Sequence, residues 1–176
     1  MLIYISQSFI IIGYLIFFIS RFRNSKKSIL LTDNISRICD IIGYSLFGSI
    51  NSIEHVIYGM IRNAVGTFLI KRSKTYKTIS FIIMVVVLFI MYGLSFNGVS
   101  TIMFMLSGLV NLFAVIFTKE QGIRLGTAIA SICNITAFLL IGSYASIIGE
   151  TLCGIIGILS FIKGKRKNED TIGIQR

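Results

Sequence analysis

A chain of 176 residues with 55% hydrophobic and only 14% charged residues, at a mean hydropathy of +0.86, lacks the polar surface of a soluble domain, which carries about 25% charged residues. The formal charge of +10 is unevenly placed: every Lys and Arg except Arg62 falls in one of four clusters, Arg21 to Arg37, Lys71 to Lys77, Lys119 to Arg124, and Lys163 to the C-terminus. Two apolar stretches separate each cluster from the next, so the basicity reads as the positive-inside signal of a cytoplasmic membrane face, with some attraction to anionic headgroups, and not as a nucleic-acid surface.

Leu2 to Ser20 is uncharged and long enough to cross a hydrocarbon core of about 30 Å at about 1.5 Å per residue. It has no basic n-region and no small-residue cleavage site, so a span is expected rather than a signal peptide. Charge after it, at Arg21 and Arg23, puts the N-terminus outside and Arg21 to Ser28 in the first cytoplasmic loop. The second span, roughly Thr32 to Gly48, is the least hydrophobic, carrying Asp33, Asn34, Arg37 and Asp40. Ser52 to Ile70 crosses back inward, Ile79 to Ser95 is the fourth span, and Asn97-Gly98 marks an outer turn. Val99 to Phe117, Gly122 to Ile141 and Ser146 to Ile162 complete seven crossings, with a polar cytoplasmic tail after them that is expected to fray. The expected protein is an all-α, multi-pass protein of the bacterial inner membrane, its C-terminus in the cytoplasm.

One stretch is written twice. ICDIIGYSLFGSINSI (Ile38 to Ile53) and ICNITAFLLIGSYASI (Ile132 to Ile147) match without gaps at a constant offset of 94 positions, with eight of sixteen residues identical. The apolar second copy supports reading the doubtful second span as membrane-crossing. A three-helix unit begins and ends on opposite sides, so a second copy in the same orientation requires one extra crossing. The expected layout is therefore three plus one plus three: residues 1–77 as the first repeat, 78–98 as a linker helix, 99–163 as the second repeat, and 164–176 as the tail.

GMIRNAVGTFLIKR (Gly59 to Arg72) and GSYASIIGETLCGIIGILSFIKGKRK (Gly142 to Lys167) resemble the YgjV-type family of bacterial inner-membrane proteins, and the resemblance extends more loosely over nearly the whole chain. Arg62 and Glu150 match family positions. The three plus one plus three layout is similar to that of the SWEET sugar transporters, which implies parallel repeats related by an axis along the membrane normal. This chain departs from that pattern in having no Pro and no Trp, so proline hinges and sugar stacking on indole do not carry over.

Ionisable and polar side chains inside a bilayer are costly and by default mark a site or an internal pair. Asp40 and Asn134 are repeat mates, each eight residues before its Gly-Ser turn and so about 12 Å below the outer surface. Arg62, ten residues after Ser52, sits at about 15 Å, level with Asp40. These three residues are expected to line a midplane cavity for a small polar solute. The alternatives are an internal Asp40–Arg62 salt bridge or a local pair of Arg37 with Asp40. Asn63 is too deep to reach water and needs a partner or a solute, and Asn111 is a weaker candidate because its repeat mate is Phe17. His55, near the outer surface, and Glu150, near the outer end of the seventh span, are candidates for gating or proton linkage, with interfacial water the first expectation for Glu150.

Ser146, Gly149, Cys153, Gly157 and Ser160, with Ser52, His55, Gly59, Asn63 and Gly66 as mates, form small-residue stripes read chiefly as helix packing. The three cysteines lie in apolar runs without metal spacing and read as buried hydrophobes. One His and no nucleophile-base set argue against an enzyme, and no cofactor or metal is expected. Two functions remain open: binding or transport of a small polar solute between the two halves, and a non-transporting scaffold with the same fold. A headgroup or anion site on Lys71, Arg72, Lys74 and Lys77 is a third reading, and the oligomeric state stays open.

Overall fold

The computed structural model describes the backbone of residues 2–173 and the side chains of residues 2–164. Among the described residues there are seven α-helices and no strand: α1 (Leu2–Arg21), α2 (Lys26–Phe47), α3 (Ile50–Phe68), α4 (Lys74–Leu94), α5 (Val99–Phe117), α6 (Glu120–Ile141) and α7 (Tyr144–Gly173). Five of them, α1, α4, α5, α6 and α7, are long and apolar enough to cross a membrane. The charged residues noted on the second span, and the polar and ionisable residues of the third, keep α2 and α3 below that measure. The backbone of the polar tail is helical to Gly173; its fraying, expected from composition, concerns side chains and an end that lie outside the described residues.

Local chemistry sets the helix ends. Ser25 caps α2 by accepting from the Ser28 N–H at 3.2 Å. Gly48 and Gly142 end α2 and α6 in the left-handed conformation, at φ 77° and 79°, where a side chain would strain the backbone. The turns that follow are alike: the Gly amide donates to the Tyr44 carbonyl in one and the Phe138 carbonyl in the other, both at 2.9 Å. The hydroxyls of Ser49 and Ser52 meet at 2.7 Å, and those of Ser143 and Ser146 at 2.6 Å.

Six helices close a ring in the order α1, α2, α3, α5, α6, α7 and back to α1, and α4 packs outside against α5 and α3. Met84, Leu88 and Tyr92, spaced by four, are the buried edge of α4. The helices run alternately up and down. At one end the Arg124 guanidinium donates to the Arg23 carbonyl at 3.0 Å and the Ser160 carbonyl at 3.4 Å, and the Lys26 ammonium to the Thr118 carbonyl at 2.9 Å. At the other, Gln7 accepts from the Ala145 amide and Asn51 donates to Thr101, both at 3.2 Å.

Polarity is inverted relative to a water-soluble bundle. Ile3, Ile11, Leu15, Ile82, Phe89, Ile132 and Leu139 project outward, while Ser6, Ser20, Arg21, Asp33, Ser36, Asn63, Ser107 and Ser131 are at most 3% exposed. A hydrocarbon solvent accounts for this, because it welcomes the aliphatic exterior and leaves polar side chains only each other. A large apolar cluster around Tyr58, Leu88, Phe104, Leu112 and Phe138 ties α4 to the ring, and Ile29, Leu30, Val115 and Ile123 form a smaller one toward the basic end.

Candidate functional site

Along α2, Asp33, Arg37, Asp40 and Tyr44 are spaced by four, three and four, which places them on one helical face. The same spacing on α6 aligns Thr127, Ser131, Asn134 and Phe138, each the repeat mate of one of the four. All eight turn into the ring and line a cavity of about 50 Å³, enough for a few waters at most. Toward the Gly-Ser end the two faces touch, Tyr44 stacking on Phe138 with ring centroids 5.7 Å apart and planes 8° from parallel. Toward the other end the Lys26 amide donates to Glu120 Oε1 at 3.2 Å. Both contacts join residues 94 positions apart, so α2 and α6 face each other across the ring with the cavity between.

Six guanidinium and carboxyl side chains border this small space: Arg21, Asp33, Arg37, Asp40, Arg62 and Glu150. A charge at a bilayer centre costs about 3 kcal/mol even on the lenient insertion scale, so their partners matter. Arg21 alone has its charge met by an opposite one, although its Nε and Nη1 are buried without a partner among the described residues. Its Nη2 pairs with Asp33, the sole ion pair within 4.0 Å among the described residues, and its guanidinium lies 4.0 Å from the Phe17 ring centroid. The Ser20 hydroxyl donates to the other Asp33 oxygen.

The remaining four are not neutralised by contact. Arg62, 3% exposed, donates from Nε and Nη2 to the neutral Asn63 Oδ1, at 3.3 and 3.1 Å. Arg37 extends its guanidinium over Gly59 of α3, into space that a Cβ there would occupy. Asp40, one turn along, sets its carboxylate against Gly13 of α1 in the same way. Glu150 accepts from the Tyr14 hydroxyl at 3.3 Å and the Ser131 hydroxyl at 2.8 Å. Arg37 Nε, Asp40 Oδ1 and Asn134 Oδ1 are buried with no protein partner. Each such group costs roughly 1–3 kcal/mol if nothing meets it.

The sequence profile of the Imp-YgjV family, described as a bacterial inner membrane protein, matches residues 4–168. The chain belongs to that family. No curated protein and no solved structure matches it. In this Imp-YgjV protein, Asp40, Arg62, Asn111, Asn134, His55 and Glu150 all border the one cavity, and Asn63 stands behind Arg62 as its acceptor with Nδ2 unpartnered.

Three finer expectations differ from the geometry. Asp40 does not pair with Arg62 or with Arg37, because α2 sends its two charges to opposite neighbours, α1 and α3. Glu150 does not reach interfacial water, since hydroxyls of α1 and α6 hold it inward. His55 is 6% exposed; its Nδ1 meets the Tyr92 hydroxyl at 2.8 Å and its ring stacks on Phe104 at 4.7 Å. The small-residue stripes also do more than pack helices, for Gly59 seats Arg37 and Gly149 seats the Tyr14 ring.

Arg21, Asp33, Arg37, Tyr14 and Ser131 border the cavity without having been singled out from the sequence as candidates. Arg21 and Arg37 had been absorbed into a basic cluster read as a topology signal. The 33, 37, 40, 44 spacing was the signal that would have recovered two of the five. A separate hollow of about 890 Å³ opens at the Gly-Ser end, between Phe47, Asn51, Leu94 and Leu140, and no ionisable side chain lines it.

Proposed function

We infer that the protein binds and moves a small polar solute through the centre of the ring, between a half formed by α1–α3 and a half formed by α5–α7. The observation that carries this reading is the cavity itself. A dry scaffold gains nothing from holding Arg37, Asp40, Arg62 and Glu150 in one enclosed space without ion pairs, whereas a solute site needs unspent hydrogen-bonding capacity.

The three plus one plus three arrangement gives the halves their relation. Its support is that α2 and α6 begin and end 94 positions apart, that their glycine C-caps match, and that ring contacts come in corresponding pairs: α1 with α2 and α5 with α6, α2 with α3 and α6 with α7, α1 with α7 and α5 with α3. Residues that touch their own mates, Tyr44 with Phe138 and Lys26 with Glu120, would then lie on the axis relating the halves. Tilting one half against the other about a line in the membrane plane would expose the cavity to each side in turn.

For orientation, the reading places the N-terminus outside and the C-terminus in the cytoplasm. Arg21 and Arg124 are buried, and Arg37 reaches inward to Gly59, so none of them belongs to the surface signal. Arg23, Lys27, Lys71, Arg72, Lys74 and Lys119 remain exposed at helix connections or ends on one side of the ring, and the exposed Lys163 follows the apolar run of α7 on that side. That favours this side as cytoplasmic.

Reconstituted in liposomes, the wild-type chain should give solute-dependent flux, and Arg62→Ala and Asp40→Ala should each abolish it while remaining folded in detergent. Normal flux from both folded variants would remove these residues from the path. Absence of flux for every polar solute would favour the scaffold, in which charge-swapping residues 40 and 62 restores a stability lost in either single variant.

A further inference from the structure

The cavity is not uniformly polar but divided by charge. Arg37 leaves α2 toward α3 and rests on Gly59, in the electrostatic reach of Arg62 on that helix. Asp40 leaves α2 toward α1 and rests on Gly13, in the electrostatic reach of Glu150 on α7. Two guanidiniums thus lie on the α3 side of the cavity and two carboxyls on the side of α1 and α7, with Arg37 acting on both carboxyls across it. The paired Arg21 and Asp33 cancel each other and add no net charge to either side.

Arg37 Nε and Asn63 Nδ2 are buried donors without an acceptor on the cationic side, Asp40 Oδ1 and Asn134 Oδ1 are buried acceptors without a donor on the anionic side, and Arg21 Nε and Nη1, beside Asp33, are two further donors without a partner among the described residues. A simple anion would satisfy the guanidiniums and face two carboxylates; a simple cation would do the reverse. A neutral polyol would satisfy hydrogen bonds but leave four charges uncompensated in low dielectric, where they are most expensive.

Resting on the solute-binding reading above, we propose that the solute is a small zwitterion, its carboxylate held by Arg37 and Arg62 and its ammonium by Asp40 and Glu150. A guanidinium matches a carboxylate through two parallel hydrogen bonds, and an ammonium offers three donors to the acceptors opposite. The ligand is neutral overall and the two sides of the cavity cancel each other, so entry changes no net charge in the membrane. The cavity of about 50 Å³ restricts the closed form to the smallest members of the class, glycine and alanine, with the halves parting slightly to admit them.

The test is a thermal-shift titration of the detergent-purified full chain with glycine, alanine, acetate, methylammonium and glycerol. Glycine or alanine should raise the midpoint saturably, and acetate and methylammonium should require concentrations at least about tenfold higher, each having lost one set of charge-assisted bonds. Arg37→Gln should reverse the preference toward methylammonium, and Asp40→Asn toward acetate. A merely structural role for these residues would lower the midpoint without changing which ligand raises it.

Acetate matching glycine in the wild type would overturn the proposal in favour of an anion site. A shift by glycerol alone would overturn it while leaving a solute site in place. No shift by any of the five also overturns the zwitterion, and liposome flux then decides separately whether the broader solute reading stands. Because these outcomes are read on the wild-type chain, they hold even if a variant fails to fold.

Discussion

Arg21 and Asp33 illustrate how a charged pair survives inside an apolar ring. The two are 1% and 3% exposed, bonded to each other and supported by Ser20 and Phe17. Removing one partner strands the other, which typically costs 3–5 kcal/mol, whereas replacing both by apolar residues is often neutral. Asp33→Asn should therefore lower stability by about 3 kcal/mol in denaturant titrations of the detergent-solubilised protein, and the double variant Arg21→Met, Asp33→Leu should recover most of the loss. Asp40 should behave differently, since it has no ion pair within 4.0 Å to break. Asp40→Asn keeps the shape and removes an uncompensated charge, so it should leave stability unchanged or raise it while disturbing solute binding. Equal destabilisation by Asp33→Asn and Asp40→Asn would contradict the distinction between a structural pair and a site residue.

Among the elements, α2 carries the argument. Asp33, Arg37 and Asp40 would together cost roughly 7–10 kcal/mol facing lipid, at about 3 kcal/mol each, so α2 is stable only with these residues turned into the ring. Hydropathy averages around a helix and cannot see that the charges share one face, which is why the second span looked doubtful from composition. Its mate α6 has the same polar face written in Thr127, Ser131 and Asn134, without charge, and was legible at once. The six site candidates that border the cavity were legible because ionisable or amide side chains in apolar runs are rare. Which neighbour each addresses was not, since partner choice depends on small residues of other helices. Gly59 is the test. If it only packs helices, Gly59→Ala should destabilise by separating them. With Arg37 occupying that space, the methyl displaces a flexible head, and the alanine recovers up to about 1 kcal/mol of helix propensity. Thermal midpoints near wild type with impaired flux would fit the geometry, and a large loss of stability with normal flux would not.

At the scale of the whole molecule, seven alternating helices, the ring with α4 outside it, and the aliphatic exterior follow from a chain that has little polar surface and places its few polar residues inside. The helix ends were foreseen least well on the polar side: α2 begins at Lys26 and α4 at Lys74, each about five residues earlier than the apolar run suggests, because a helix can extend past the hydrocarbon into water, at α2 with its first turn capped by Ser25. Central to the account is passage of a solute between halves that move relative to one another. Tyr44 and Phe138, stacked at 5.7 Å where α2 and α6 meet, provide the point at which to stop that motion. In a chain with Cys39, Cys133 and Cys153 replaced by Ala, Tyr44→Cys and Phe138→Cys can be bridged across this contact by a short bis-methanethiosulfonate reagent, and flux measured in liposomes before bridging, after it, and after reduction. The account predicts flux that stops on bridging and returns with reductant; flux that is the same in all three conditions, or absent in all three, would contradict it.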